Sequence, residues 1–302
     1  MGKTKWMGPA MAVSLALTTS PIQAQERGEV RSFALSGSWT LDAGDDYCRL
    51  AGNFTNGEDQ IALALERNRA EPRARLILVG EQIRPFRGAE TISWSYQPAG
   101  QPTPAAYLRN ETPDGRPYFN LGMISFAPAG PPQIPSPPYN RMAELEFAQA
   151  VTAIQIDQGL VNPVRLETGS MLAPLQALQV CTDDLLLYWG LDFEKHKTMT
   201  RPAGPAGPAF EWLAADTIGF GDFASLSAGR NPIRVMVDAQ GQPTECHVHW
   251  ASLPERKNEA ICEQLMANAR FEPALDAEGN PMASYWFAEP FMLMRPMGGP
   301  RG

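Results

Sequence analysis

Only three histidines occur in this 302-residue chain, and its cysteines form no Cys-x-x-Cys, Cys-x-x-Cys-His or mixed Cys/His spacing. That excludes the zinc-ribbon, thioredoxin-like and c-type haem signatures. Gly-x-Ser-x-Gly, His-Glu-x-x-His, Walker and Gly-x-Gly-x-x-Gly patterns in their required contexts are missing too, so no nucleophile elbow, zincin helix or nucleotide loop is written here. Charged residues make up 19% and acids outnumber bases, giving a net charge of −8. An acidic chain argues against nucleic acid and anionic membrane as partners. Beyond residue 24 no apolar run approaches the roughly 20 residues that span a bilayer, so stable membrane insertion is not expected. No internal repeat is found, and low complexity is confined to short Pro/Gly stretches.

What is present begins with residues 1–24. Lys3 and Lys5 precede a mostly apolar run from Trp6 to Leu17, and Ile22-Gln23-Ala24 ends in a small residue. This is the pattern of a cleaved secretory signal, which places the protein in the periplasm. An uncleaved N-terminal anchor is the alternative. Cleavage removes two lysines and no acid, leaving the chain more acidic still. Four cysteines behind such a segment favour two disulfides over metal or redox chemistry. Three pairings are possible. Alternation puts Cys246, Val248 and Trp250 on one strand face, and Cys262 lies on the apolar stripe of the following helix. The faces therefore favour Cys246 with Cys262, leaving Cys48 with Cys181.

Residues 25–198 read as a β-rich domain with one or two helices. Strand candidates are 32–41, 61–65, 73–79, 92–96, 118–126, a strand around Ile154, and 164–166, with a helix over 142–151. Ser170 is placed to cap a last helix carrying Leu172, Leu175, Gln179, Leu186 and Trp189, with Pro174 in its first turn. A second Pro-rich stretch, 128–138, is expected to be a surface loop. The Pro/Gly run 201–208 marks a linker over 199–212, a composition that cannot hold helix or strand. Residues 213–297 form a second domain. Ile233, Val235 and Val237 alternate up to a turn at 238–241, and 242–250 returns as a second strand. Helix 255–269 carries Ile261, Cys262, Leu265, Met266 and Ala269 on one stripe. After a turn at 276–281, a strand over 282–293 is expected on an edge, because Pro290 cannot donate to a ladder. The fold class expected is α+β, a β-rich N-terminal domain plus a small ββαβ domain, with two disulfides.

Within the second domain a specific series recurs. It comprises Ile233 to Val237, the Gly241 turn, Thr244 to His249, Ala251-Ser252, the helix through Cys262 and Leu265, Arg270-Phe271-Glu272-Pro273-Ala274, and Gly279-Asn280-Pro281. Over residues 215–295 the chain resembles the TonB C-terminal-domain family, most specifically in Phe-x-Pro-Ala followed by a Gly-x-Pro turn. The variant stapled by Cys246 and Cys262 is similar to a secreted subset. The resemblance implies a small sheet with a helix on one face, which binds outer-membrane receptors by pairing a receptor segment onto its last strand. That mode is β-augmentation. On this resemblance Ser284, Tyr285, Trp286 and Phe287 are the partner-binding residues, and the partner is an envelope protein such as an outer-membrane receptor. The expected function is a secreted periplasmic, non-catalytic adaptor with no cofactor. One alternative is a TonB-type energy transducer for transmembrane transport, retained by its N-terminal segment. Transducers carry a membrane anchor and a long Pro-rich spacer, where this chain has a signal-like segment and a short linker. The other alternative is an envelope enzyme with its site in the N-terminal domain.

Few residues suggest chemistry. His247 and His249 lie two apart on a strand, facing away from Cys246. A His-x-His pair can supply two metal ligands, with a third from Asp238 or Glu245. The competing reading is ordinary polarity on the open face of a half-buried sheet. His196, beside the linker, is expected to be exposed. Asp45-Asp46 and Asp183-Asp184 would be drawn together by a Cys48–Cys181 bridge, as a calcium or catalytic carboxylate site, with turn and helix-end polarity as the alternative. Trp39, Trp94, Trp189, Trp212, Trp250 and Trp286 are scattered, as core residues are.

Overall fold

The computed structural model describes Gly2 and residues 28–294, apart from 99, 128–138, 224 and 227–230. The signal-like segment (Gly2 aside) and the Pro-rich stretch 128–138 lie outside the described residues.

The first unit contains β1 (Arg31–Leu35), β2 (Thr40–Ala43), β3 (Cys48–Thr55), β4 (Gln60–Arg67), β5 (Arg73–Val79), β6 (Thr91–Gln97), β7 (Thr103–Ala106), β8 (Leu108–Glu111) and β9 (Pro117–Ser125). Helix α1 (Arg141–Ala150), β10 (Ala153–Ile156), β11 (Val164–Glu167), α2 (Leu172–Tyr188) and α3 (Phe193–Lys197) follow. All eleven strands join one sheet in the order β7-β6-β10-β11-β1-β3-β4-β5-β9-β8, with β2 paired to β3. It is mixed, because β1 runs parallel to β11, with Arg31 opposite Val164, and antiparallel to β3. Near its far ends β7 packs beside β9, so the sheet is nearly closed. The protein is mostly β, 36% strand against 23% helix, which corrects the α+β expectation. Strands β3, β7 and β8 are additional to the alternating runs picked out in the sequence, and it is they that complete the sheet. The strand expected over 32–41 is two strands. Gly37, at φ +85°, makes the break, and a side chain there would be strained.

Burial follows the pleat where one face is covered: along β3, Cys48, Leu50, Gly52 and Phe54 are inside with intermediate or exposed residues between. Strands β5 and β6 are instead buried on both faces over five consecutive residues. Helix α2 lies on β3, and Cys48–Cys181 joins them. Pro174 sits in the first turn of α2, where its missing N–H breaks no helical bond. The N-cap is Met171, one residue beyond the Ser170 expected.

The second unit contains β12 (Gly204–Pro205), β13 (Ile233–Val237), β14 (Pro243–Val248), α4 (Glu255–Asn268), β15 (Phe271–Glu272), β16 (Ala274–Leu275), β17 (Pro281–Met282) and β18 (Ser284–Ala288). The segment read as a linker is not free. β12 pairs with β15, the Thr200 N–H donates to Leu275 O at 2.9 Å, and the Ala206 N–H donates to Arg270 O at 2.9 Å. Proline removes only its own donor, and the residues between the prolines still bond. The last strand ends at Ala288 rather than Leu293, because Pro290 opens a 3-10 turn over Pro290–Leu293.

Strands β14-β13-β18 form an antiparallel sheet with β13 central. One face packs Val235, Trp286, Ile261, Leu265 and Phe271 into a core of its own, and Cys246–Cys262 staples β14 to α4. The opposite face carries Arg234, Met236, Tyr285 and Phe287. It is covered by the first unit, with Met236 and Tyr285 packed among Ala70, Leu186, Trp189, Leu191 and Phe193. Among the described residues no helix is long and apolar enough to cross a membrane.

Candidate functional site

The seam between the units is built from arginines laid on rings, in both directions. From the first unit, Arg69 lies 4.7 Å from the Phe287 ring centre and Arg75 lies 3.9 Å from that of Trp250. From the second, Arg234 reaches the Trp189 ring at 4.1 Å. Trp250 has φ +44°, which turns it out of β14 and onto Arg75. It therefore does not share the Cys246 face expected for it.

Trp189 also fixes the β2–β3 turn, since its Nε1–H donates to Asp45 O at 3.1 Å. Gly44 N–H closes the turn on Tyr47 O at 2.9 Å. Two residues before the disulfide at Cys48, this turn aims Asp46 at the second unit. Asp46 Oδ2 lies 3.1 Å from His247 Nε2 and 2.9 Å from His249 Nδ1. The three donor atoms all fall within 4.8 Å of one another, and the imidazole centres are 4.8 Å apart, edge to face. His249 is fully buried, and its backbone N–H donates to Pro232 O at 2.8 Å. Its Nδ1 contact with Asp46 is close but not aligned as a hydrogen bond, and neither ring nitrogen has a hydrogen-bond partner. The ring packs 5.0 Å from that of Phe287. Contacts with His247 and His249 hold the Asp46 carboxyl well below the usual carboxylate range. Burial pushes the His249 pKa down, against the pull of Asp46.

No family model, curated protein or solved structure matches this chain.

The two histidines singled out in the sequence do come together, but neither acid expected beside them joins in. Asp238 accepts the N–H groups of Gln240 and Gln242 in its own turn, and Glu245 pairs with Arg234. Asp46, 201 positions from His247, takes their place. The two acidic pairs form no shared cluster among the described residues. Asp183 is held by Arg141 through two bonds of 2.6 and 2.7 Å, with burial raising its pKa. His196 is not free in solvent. Its ring bonds Asp192 O at 2.8 Å and Ser284 Oγ at 3.1 Å and lies parallel to Tyr285. Both disulfides have the pairing the faces favoured.

Ser284, Tyr285, Trp286 and Phe287 all sit in β18. Trp286 points into the second core, Ser284 is buried with its Oγ bonded to His196, and Tyr285 and Phe287 face Trp189 at 5.5 and 6.3 Å. On the first unit, Trp94, Tyr96 and Phe147 line an apolar cleft of about 740 Å³ near the gap in the large sheet.

Proposed function

We propose that this is an extracytoplasmic, non-catalytic binding protein, which takes up an extended segment of an envelope partner along the outer edge of β18. One observation carries the reading: in the order β14-β13-β18, the second edge of β18 pairs with no strand among the described residues. An open edge offers main-chain donors and acceptors for strand addition. The side chains of β18 are already committed, alternately to the second core and to the seam. Affinity would then come mainly from backbone pairing, and selectivity from the flanking Ala283 and Glu289. The resemblance of residues 215–295 to the TonB C-terminal-domain family supports the same edge and an outer-membrane receptor as the partner class. The signal-like segment and two disulfides support the periplasm as the compartment.

The test is photocrosslinking in the host cell from an unnatural residue at the exposed Ala283, with exposed Asn110 on β8, another sheet edge, as the control. The expected product is one defined segment of an envelope protein, captured from position 283 and not from 110. Capture from neither position, or equal capture from both, would sink the assignment.

A further inference from the structure

We propose that Asp46, His247 and His249 form a site for one divalent transition-metal ion of the zinc class, with its ligands drawn from both units. The inference is independent of strand docking at β18.

Two imidazoles and a carboxylate are a borderline donor set, suited to zinc, copper, nickel or cobalt rather than to calcium or magnesium, which favour oxygen. Tetrahedral zinc with bonds of about 2.0–2.1 Å sets its ligand atoms roughly 3.3–3.5 Å apart. Oδ2 here is 3.1 Å from Nε2 of His247 and 2.9 Å from Nδ1 of His249, and all three atoms lie within 4.8 Å. Rotation of His247, whose side chain is 44% exposed, adjusts the two edges at its nitrogen, and a shift of a few tenths of an ångström in the Asp46 carboxylate widens the 2.9 Å edge to His249. The same exposure leaves a fourth position for water or a partner's donor atom.

The decisive group is His249. An Asp46–His247 pair accounts for Asp46, but it leaves a fully buried imidazole with no hydrogen bond at either nitrogen. Buried polar atoms without partners are rare, and an ion is one of the explanations for them. Here Nδ1 lies 2.9 Å from the Asp46 carboxylate without the alignment of a hydrogen bond. The neighbouring cation, Arg234, is paired with Glu245 at 3.1 Å and laid on the Trp189 ring, and Asp46 supplies the negative charge at the ligand atoms.

The ligands are also pre-set. Asp46 stands two residues from Cys48, bridged to α2, and His247 is next to Cys246, bridged to α4. Each disulfide thus fixes one side of the site, and an ion between them ties the two units together.

The experiment uses the full chain with both disulfides intact and metal removed by chelation. Zinc is titrated calorimetrically, cobalt is followed by its visible absorption, and hydrogen exchange is compared with and without zinc. Expected are one ion per chain, a cobalt band, and slowed exchange in both 44–48 and 245–249. Asp46→Asn and His247→Gln should each weaken binding at least about tenfold, with unchanged circular dichroism. If one variant misfolds, the other and the exchange pattern of the unaltered protein decide. No binding at millimolar zinc, binding unchanged in the folded variants, or protection confined to 245–249 would overturn the shared site.

Discussion

Trp189 and Arg234 meet face-on across the seam, the guanidinium carbon 4.1 Å from the ring centre. The indole also touches Tyr285 and Phe287 and holds the Asp45 carbonyl, so one side chain spans both units. Trp189→Ala should lower stability by about 3 kcal/mol, combining lost packing with a lost cation–π contact. Urea unfolding followed by far-UV circular dichroism would check this. A loss under about 1 kcal/mol would mean that the seam contributes little to holding the units.

Deeper in the first unit, Arg67 and Glu144 form an ion pair with side chains 0% and 2% exposed. Gln179 Nε2 donates to the same carboxylate at 2.8 Å. Glu144→Ala strands a buried guanidinium and should cost about 3–5 kcal/mol, whereas an apolar pair at both positions should cost much less. Comparing midpoints of the single and double variants separates the pair from its packing.

The two disulfides should differ in weight. Their partners lie 133 and 16 positions apart, and the chain-entropy model assigns roughly 4–5 kcal/mol to the longer closure and about 3 kcal/mol to the shorter. Alanine at Cys48 and Cys181 should therefore lower the denaturation midpoint more than alanine at Cys246 and Cys262. The opposite order would assign the difference to native packing instead.

Burial holds the His196 pKa below its ordinary value, outweighing the opposing pull of Asp192. The unfolded chain then binds the proton first as pH falls through about 6.5, so acid destabilises the folded protein and the contribution is whole only above that value. His196→Asn should flatten the fall in unfolding free energy between about pH 7.5 and 5.5. An unchanged slope would show that His196 is accommodated in its charged form.

Much of the strand content was legible because β4, β5, β6 and β9 are apolar enough to stand out, and the Asp238–Gly241 turn announces the β13–β14 hairpin. Strand β3 is harder to see, since Gly52 and Asn53 dilute its alternation. Proline at 104 conceals β7. The Cys246–Cys262 bridge followed from faces alone. Periodicity says nothing about what covers each face of a strand. The covering of the second sheet by the first unit was therefore invisible. In the sequence Asp46 stands only as half of an acidic pair, and no local pattern ties it to a histidine 201 positions away.

The parallel pairing of β1 with β11 has a bearing on how the chain is made. A polypeptide emerging from its N-terminus presents Arg31–Leu35 long before Val164–Glu167 exists to lie beside it. Until then the nascent sheet must keep a raw flank, the kind of surface that recruits strangers. Slow synthesis or export would lengthen that exposure. A holdase that shields unpaired strands should therefore raise the yield of this protein more than one that shields helices.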